Sequence, residues 1–173
     1  MRLTVAAMVV VALAAGASLI AQRATPVHPA ALVPKAVTTI AAKQIVGKIG
    51  VSEMTAAPGG KVTLIVDVIP KPTMHVYAPG QEGYQAIEIT IAPQSSFTLA
   101  ATTYPAAKRM FFEELQQTLK VYDAPFRLTR DVTFASSAHG SIAITGTLDY
   151  QACDDHVCYR SDQAAIKWSI DVR

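Results

Sequence analysis

The chain closes on a stretch in which apolar and polar residues alternate strictly: Ile166-Lys167-Trp168-Ser169-Ile170-Asp171-Val172. A period of two places the apolar side chains on one face and the polar side chains on the other. This pattern predicts a β-strand with one buried face. A strand of this kind needs a second apolar layer to cover it.

The same alternation recurs along the chain from about residue 44 onward. The further predicted strands cover residues 61–69, 74–78, 87–91, 96–103, 126–134 and 141–150, with Gly and Pro turn signals around them. About seven to nine short strands predict an all-β fold, specifically an antiparallel β-sandwich. No pattern of strand, long helix and strand occurs, which argues against a thioredoxin-type α/β fold.

Residues 106–119 depart from this alternation. The segment is rich in good helix formers, which predicts a short helix or a structured, irregular loop. It also carries the adjacent pair Phe111 and Phe112. Either both rings anchor the core, or one of them covers a reactive site.

The only two cysteines, Cys153 and Cys158, are separated by Asp154-Asp155-His156-Val157. We expect the strand that ends near Tyr150 to continue to Cys153, with the four residues as a connection. Opposed strand positions lie about 4.5–5.5 Å apart between Cα atoms, which suits a disulfide. A loop of about six residues gains only roughly 2 kcal/mol from such a bond. The spacing therefore favours a redox-active pair, and a structural bond remains the alternative.

The residues between the cysteines can tune thiol chemistry. Asp154 and Asp155 are negative and disfavour a nearby thiolate, whereas a protonated His156 has the opposite effect. Because the thiolate is the attacking species, acids beside it would keep the pair slow until a partner docks. The alternative is that the two aspartates simply form a solvated turn.

Other chemistries have weaker support. Soft ligands for copper or zinc are present in Met74, His75, Cys153, His156 and Cys158. The spacing Cys-x2-His-x-Cys is uncommon for structural zinc, however, so we predict neither a metal nor another cofactor. Serine-hydrolase, zinc-protease and phosphate-loop motifs are absent from the sequence.

The N-terminal part of the sequence predicts an export signal and a tether rather than a part of the folded core. After Arg2, residues 1–21 are almost entirely apolar, which predicts a signal peptide or an uncleaved anchor. Residues 22–42 contain three prolines and predict an extended tether. Residues 43–173 remain for one domain. With 15 Lys and Arg against 13 Asp and Glu, the chain lacks the basic excess of a nucleic-acid binder or a polybasic membrane-surface protein.

Three segments together resemble one known family. They are Tyr150–Cys158, Met74–Pro79 and Tyr104-Pro105, in the order 74–79, 104–105, 150–158 along the chain. This arrangement resembles the N-terminal periplasmic domain of DsbD-type thiol:disulfide interchange proteins, over about residues 44–173. The resemblance implies an immunoglobulin-like sandwich whose cysteine pair alternates between dithiol and disulfide.

The resemblance also implies roles for individual residues. Cys153 and Cys158 match the redox pair, which would form transient mixed disulfides with periplasmic thioredoxin-fold proteins. His75 and Tyr77 would lie on the neighbouring strand beside the pair. A cap residue shields the pair in this family, and here that residue would be Phe111 or Phe112.

The chain departs from the family pattern in two ways. Residues 159–162 replace a Pro-containing stretch, and we expect no membrane domain or thioredoxin-like domain after Arg173. We therefore expect a free-standing, monomeric periplasmic module that passes reducing equivalents between thioredoxin-like partners. The alternative is a non-catalytic immunoglobulin-like binding or scaffold module with a structural disulfide.

Overall fold

The computed structural model describes residues 32–173, and these residues form strands, turns and loops without a helix. The strands are β1 Lys35–Ala41, β2 Ile45–Val51, β3 Thr55–Ala56, β4 Lys61–Pro70, β5 His75–Tyr77, β6 Glu88–Ile91, β7 Phe97–Leu99, β8 Lys108–Phe112, β9 Gln117–Tyr122, β10 Phe126–Phe134, β11 Gly140–Tyr150, β12 Ala152–Cys153 and β13 Asp162–Val172. The predicted all-β fold is confirmed.

The strands form three sheets. The first has the order β1-β2-β4-β10-β7, the second β3-β13-β11-β6, and the third β12-β5-β9-β8. The described strand pairs are antiparallel, apart from the short parallel pair of β3 and β13. The longest ladder joins β11 to β13, from Gly140 opposite Val172 to Tyr150 opposite Asp162.

The main core lies where the first two sheets face each other. Ile166, Trp168, Ile170 and Val172 of β13 are buried, as the alternation predicts, while Lys167 and Ser169 are exposed. They pack with buried residues of β2, β4, β10 and β11 in a single cluster. Trp168 donates a hydrogen bond from its indole N–H to the Gly50 carbonyl across the core at 2.9 Å. The sandwich architecture follows from burying both apolar faces together.

The third sheet carries one face toward this core and one face toward a separate cluster. In β5, Val76 joins the main core, whereas Tyr77 on the opposite face joins what we call the second cluster. The residues of the second cluster are Tyr77, Phe112, Leu119, Val121 and Cys153. Successive residues of a strand point to opposite faces, so one short strand connects the core to the cysteine.

The strand of β11 does not continue to Cys153 as we expected. It ends at Tyr150, and β12 begins at Ala152 and pairs with β5 of the third sheet instead. Gln151 lies at the change of sheet, where its side chain donates to the Tyr159 carbonyl and accepts from the Gln85 backbone N–H. These side-chain bonds hold the backbone where it leaves one ladder and enters another.

Residues 106–119 contain a β-hairpin, so the predicted short helix is wrong, and most of the segment is regular rather than irregular. Strands β8 and β9 pair from Lys108 opposite Val121 to Phe112 opposite Gln117. The helix formers at residues 113–116 occupy the turn, where Gln116 has a φ of 51°. Cross-strand pairing and burial of alternate side chains outweigh the weak intrinsic helix preference.

The N-terminal end differs from the prediction where the structure describes it. Residues 35–41, expected within an extended tether, form β1 and pair with the edge of β2. β-Branched residues such as Val37, Thr38 and Ile40 favour this strand. The signal peptide predicted for residues 1–21 lies outside the described residues. Across residues 32–173 there is no helix with the length and hydropathy of a membrane span.

Candidate functional site

Cys153 and Cys158 form a disulfide with Cα atoms 4.1 Å apart. The two residues are joined by an isolated antiparallel bridge, in line with the predicted hairpin-like closure. Their environments differ. Cys153 is completely buried in the second cluster, whereas Cys158 is exposed. The disulfide therefore joins an exposed residue to a buried one.

Asp154 organises the turn between the cysteines. Its Oδ1 accepts backbone N–H bonds from His156 at 2.8 Å and Val157 at 2.7 Å. Its Oδ2 accepts a hydrogen bond from the Tyr159 hydroxyl at 2.8 Å. The two backbone N–H bonds, and then the tyrosine, hold the pKa of this carboxyl below its usual value. Asp155 and His156 are exposed on the same turn. For Asp154, the arrangement supports the turn-forming interpretation.

Tyr77 lies directly beneath the disulfide. Its hydroxyl oxygen is 2.8 Å from Cys153 Sγ and 3.3 Å from Cys158 Sγ. The sulfurs of a disulfide carry no proton, so the hydroxyl is the donor. Burial, with a smaller contribution from Tyr84, raises the pKa of Tyr77 to about 12. The group is therefore a proton-bearing donor throughout the neutral range.

His75 lies opposite Cys153 in the β5–β12 register. The imidazole is 2% exposed, and its ring centroid is 4.7 Å from that of Phe112. Within residues 32–173, its buried Nε2 has no hydrogen-bond partner. Burial lowers the pKa of His75, although the negative charges of Asp155, Asp123 and Asp154 act in the opposite direction. A buried, neutral imidazole thus stands beside the buried cysteine.

The hairpin of β8 and β9 separates the two candidate cap residues. Phe112 is buried in the second cluster against His75. Phe111 points to the opposite face and is 55% exposed. Phe112 is thus the one of the two packed beside the cysteine, and Phe111 is on the accessible surface of the same strand. Which ring shields the pair remains a prediction.

Two tyrosines complete the site without having been predicted. The ring of Tyr84 packs on that of Tyr77, with centroids 4.4 Å apart. Tyr159 donates to Asp154 and so braces the turn. Only Tyr159 carries a sequence signal, since it directly follows Cys158. Tyr84 lies in a loop, and no periodicity connects it to β5.

The described residues contain no group of three or more His, Cys, Asp and Glu side chains arranged to hold a metal ion. His75 faces Cys153 across β5 and β12, whereas His156 lies on the exposed turn. A cavity of about 930 Å³ is lined by residues that include Tyr104, Tyr122 and Arg127, but by neither cysteine. The chemistry that the site supports is that of the disulfide itself.

Comparison with known proteins agrees with this geometry. Residues 47–169 match the family model described as thiol:disulfide interchange protein DsbD, N-terminal. The fold is similar to that of the N-terminal periplasmic domain of ScsB from Proteus mirabilis, at a TM-score of 0.56 and 16% identity. That match covers 79% of this chain and 50% of the ScsB domain, so the chain spans half the length of that structure.

A second structure and the curated sequences complete the comparison. The reduced DsbD N-terminal domain of Neisseria meningitidis matches at a TM-score of 0.43 and 16% identity, over 67% of this chain and 82% of that one. No curated protein sequence has significant similarity to the chain. The family model matches most of the chain, including both cysteines. The chain belongs to the family of the N-terminal domain of DsbD-type thiol:disulfide interchange proteins.

Proposed function

We propose that this chain is a periplasmic thiol:disulfide exchange module that passes reducing equivalents between thioredoxin-like partners through Cys153 and Cys158. The observation that carries the proposal is the asymmetry of the bond. Cys158 is exposed, and Cys153 is buried beside a tyrosine hydroxyl that contacts both sulfurs. A disulfide that only stabilises the fold needs neither an exposed cysteine nor a hydroxyl donor in contact with both sulfurs.

The exchange begins with a partner thiolate that attacks Cys158 Sγ. The bond between the two cysteines breaks, its electron pair stays on Cys153 Sγ, and a mixed disulfide joins Cys158 to the partner. The second thiol of the partner then attacks the partner sulfur that is bonded to Cys158. A disulfide forms within the partner, and Cys158 is released. The partner leaves oxidised and this chain is reduced, with protons taken up by the two thiolates. The reverse sequence reduces the next partner.

Tyr77 assists the first step as a hydrogen-bond donor to the leaving sulfur. A thiolate accepts a stronger hydrogen bond than a disulfide sulfur does, because ionised acceptors form the stronger bonds. The contact of 2.8 Å to Cys153 is therefore stabilised as the negative charge develops. Tyr77 is suited to this task since burial raises its pKa to about 12 and keeps it protonated.

An exposed apolar residue near the pair suits a docking partner. Val157, on the turn between the cysteines, is 50% exposed. The partner class follows from family membership, and thioredoxin-fold proteins are the exchange partners that we propose. The chain would act as a monomer, with its N-terminal segment as a signal peptide or an anchor.

Single-cysteine variants test the proposal. The reduced full chain carrying Cys153→Ser or Cys158→Ser is mixed with a thioredoxin-fold protein. That protein keeps one active-site cysteine, which is activated as a mixed disulfide with thionitrobenzoate. We expect Cys153→Ser, which retains Cys158, to form the protein–protein disulfide at least about tenfold faster, because its thiol is accessible. The released thionitrobenzoate gives the rate, and non-reducing electrophoresis identifies the product.

Two results would contradict the proposal. Equal, slow rates for both variants would mean that neither cysteine is presented to a partner. A wild-type disulfide that resists reduced thioredoxin would support a structural bond, and with it the binding or scaffold module.

A further inference from the structure

The buried Nε2 atom of His75 lacks a hydrogen-bond partner within residues 32–173. Most buried polar atoms in proteins are hydrogen-bonded, so each exception calls for a physical reason. The imidazole is 2% exposed, which leaves it little access to water. In the oxidised structure this nitrogen is therefore available to accept a hydrogen bond or a proton from a neighbouring group.

Reduction of the disulfide supplies the missing partner. His75 and Cys153 are directly opposed in the β5–β12 pair, so their Cβ atoms lie on one face about 4.5–5.5 Å apart. In the disulfide, the Cys153 sulfur has no proton to donate. In the dithiol it becomes an S–H group, a donor of the kind that a neutral imidazole on the opposed residue can accept.

The resolving step creates a need for such an acceptor. When Cys158 is joined to a partner, Cys153 must lose its proton before its sulfur can attack. Cys153 is completely buried in the second cluster, and burial of this kind disfavours the thiolate. The Tyr77 hydroxyl, 2.8 Å from its sulfur, can donate a hydrogen bond to the thiolate but cannot take up the proton. A base beside the thiol removes this obstacle.

The surroundings of His75 keep it in the base form. Burial lowers its pKa, and Asp155, Asp123 and Asp154 oppose that shift without reversing it. Asp123 itself is ion-paired with Lys108 of β8. The remaining titratable neighbour on β5 is Tyr77, whose pKa of about 12 keeps it neutral. The imidazole is thus unprotonated at neutral pH and able to accept a proton.

We propose that His75 is the proton acceptor for Cys153 in the resolving step, an inference that rests on the proposed exchange function. The Cys153 S–H proton moves to His75 Nε2, and the sulfur attacks Cys158 Sγ in the mixed disulfide. The bond between Cys153 and Cys158 forms, and the partner sulfur leaves with its electron pair as a thiolate. His75 then loses the proton to solvent. The oxidant is the partner disulfide.

A small aromatic disulfide separates the two steps. The reduced full chain is mixed with 5,5′-dithiobis(2-nitrobenzoate) in a stopped-flow instrument. Attack by Cys158 releases the first thionitrobenzoate, and resolution by Cys153 releases the second. In the wild type we expect the second phase to be level from neutral pH upward, since a base with a lowered pKa is already unprotonated there.

His75→Gln should slow the second phase by on the order of 10²-fold at neutral pH. The remaining rate should rise about tenfold per pH unit, because hydroxide replaces the lost base. The first phase should be unchanged. His139→Gln is the matched control, since His139 is exposed in the turn before β11, and both of its phases should match the wild type.

A His75→Gln second phase with wild-type rate and pH profile would overturn the proposal. If that variant fails to fold, the wild-type profile decides by itself: a second phase that rises about tenfold per pH unit through neutrality excludes a histidine base. The probe is small and needs no docking surface, so the experiment distinguishes failure of the exchange function from failure of the role of His75. A pair that resists every protein partner but resolves through His75 would contradict only the exchange function.

Discussion

Tyr77 is the residue whose contacts most directly link the fold to redox chemistry. Its hydroxyl oxygen lies within 3.3 Å of both sulfurs. The hydroxyl favours the reduced pair, because a thiol or thiolate accepts a stronger hydrogen bond than a disulfide sulfur does. Tyr77→Phe removes the donor and keeps the ring. We expect the reduction potential to fall by about 20 mV, which corresponds to one hydrogen bond of about 1 kcal/mol in a two-electron couple.

Equilibration of each protein in glutathione buffers measures this shift. Tyr84→Phe is the matched control, because the Tyr84 hydroxyl donates to Gln117 and its ring still packs on Tyr77. Its potential should equal that of the wild type. A Tyr77→Phe potential unchanged or higher would mean that the hydroxyl does not favour the reduced pair.

The position of Tyr77 was within reach of sequence reasoning, because His75 and Tyr77 alternate with the core residue Val76. A period of two places both on one face of a strand. The distances to the sulfurs were not predictable, since they depend on the pairing of β5 with a two-residue strand. No local pattern specifies such a long-range register.

At the scale of elements, the turn that separates the cysteines depends on Asp154. Its pKa is lowered, so its hydrogen bonds stabilise the folded turn above the ordinary carboxyl pKa and are lost as pH falls through the lowered value. We expect Asp154→Ala to increase amide hydrogen exchange at His156 and Val157 at neutral pH. Asp155→Ala is the control, since its exposed carboxylate makes no hydrogen bond in the described part of the chain. Equal protection in the two variants would contradict this role.

The hairpin of β8 and β9 gives a second prediction at this scale. Phe112→Ala should lower the free energy of unfolding by about 3 kcal/mol, because it opens a cavity in the second cluster. Phe111→Ala should stay within about 0.5 kcal/mol, since its ring is 55% exposed. Urea unfolding of both variants measures the difference. Similar losses would mean that the assignment of faces is wrong.

This hairpin also explains why the sequence could not distinguish the two rings. Adjacent residues of a strand always face opposite ways, so choosing between Phe111 and Phe112 requires the strand phase. The helix formers around them predicted a helix instead of a strand, because residues 113–116 belong to the turn. The strand β13, in contrast, was predictable, since apolar and polar residues alternate without interruption from Ile166 to Val172.

At the scale of the whole molecule, the core and the disulfide are largely separate. The main cluster between the first two sheets contains neither cysteine. We expect the reduced chain to remain folded and to lose about 2 kcal/mol relative to the oxidised chain, as the loop-entropy model gives for a closure of about six residues. Fluorescence of Trp168, the only tryptophan and 4% exposed, follows urea unfolding of both forms.

A reduced chain without a cooperative unfolding transition would contradict this separation.

The β-sandwich was predictable from the sequence, because apolar and polar residues alternate within most of the strands. Sequence reasoning missed the change of sheet at Gln151 and the strand β1, because both depend on pairing between distant parts of the chain. The predicted boundary at residue 43 was too late for this reason, since β1 begins at Lys35.

The reduction potential of the Cys153–Cys158 pair tests the central claim most directly. The full chain is equilibrated in graded thiol buffers, and the free thiols are counted at each potential. Our account predicts a value among those of catalytic couples, about −120 to −270 mV. A value below about −300 mV would mean a structural disulfide and would contradict a role in passing reducing equivalents.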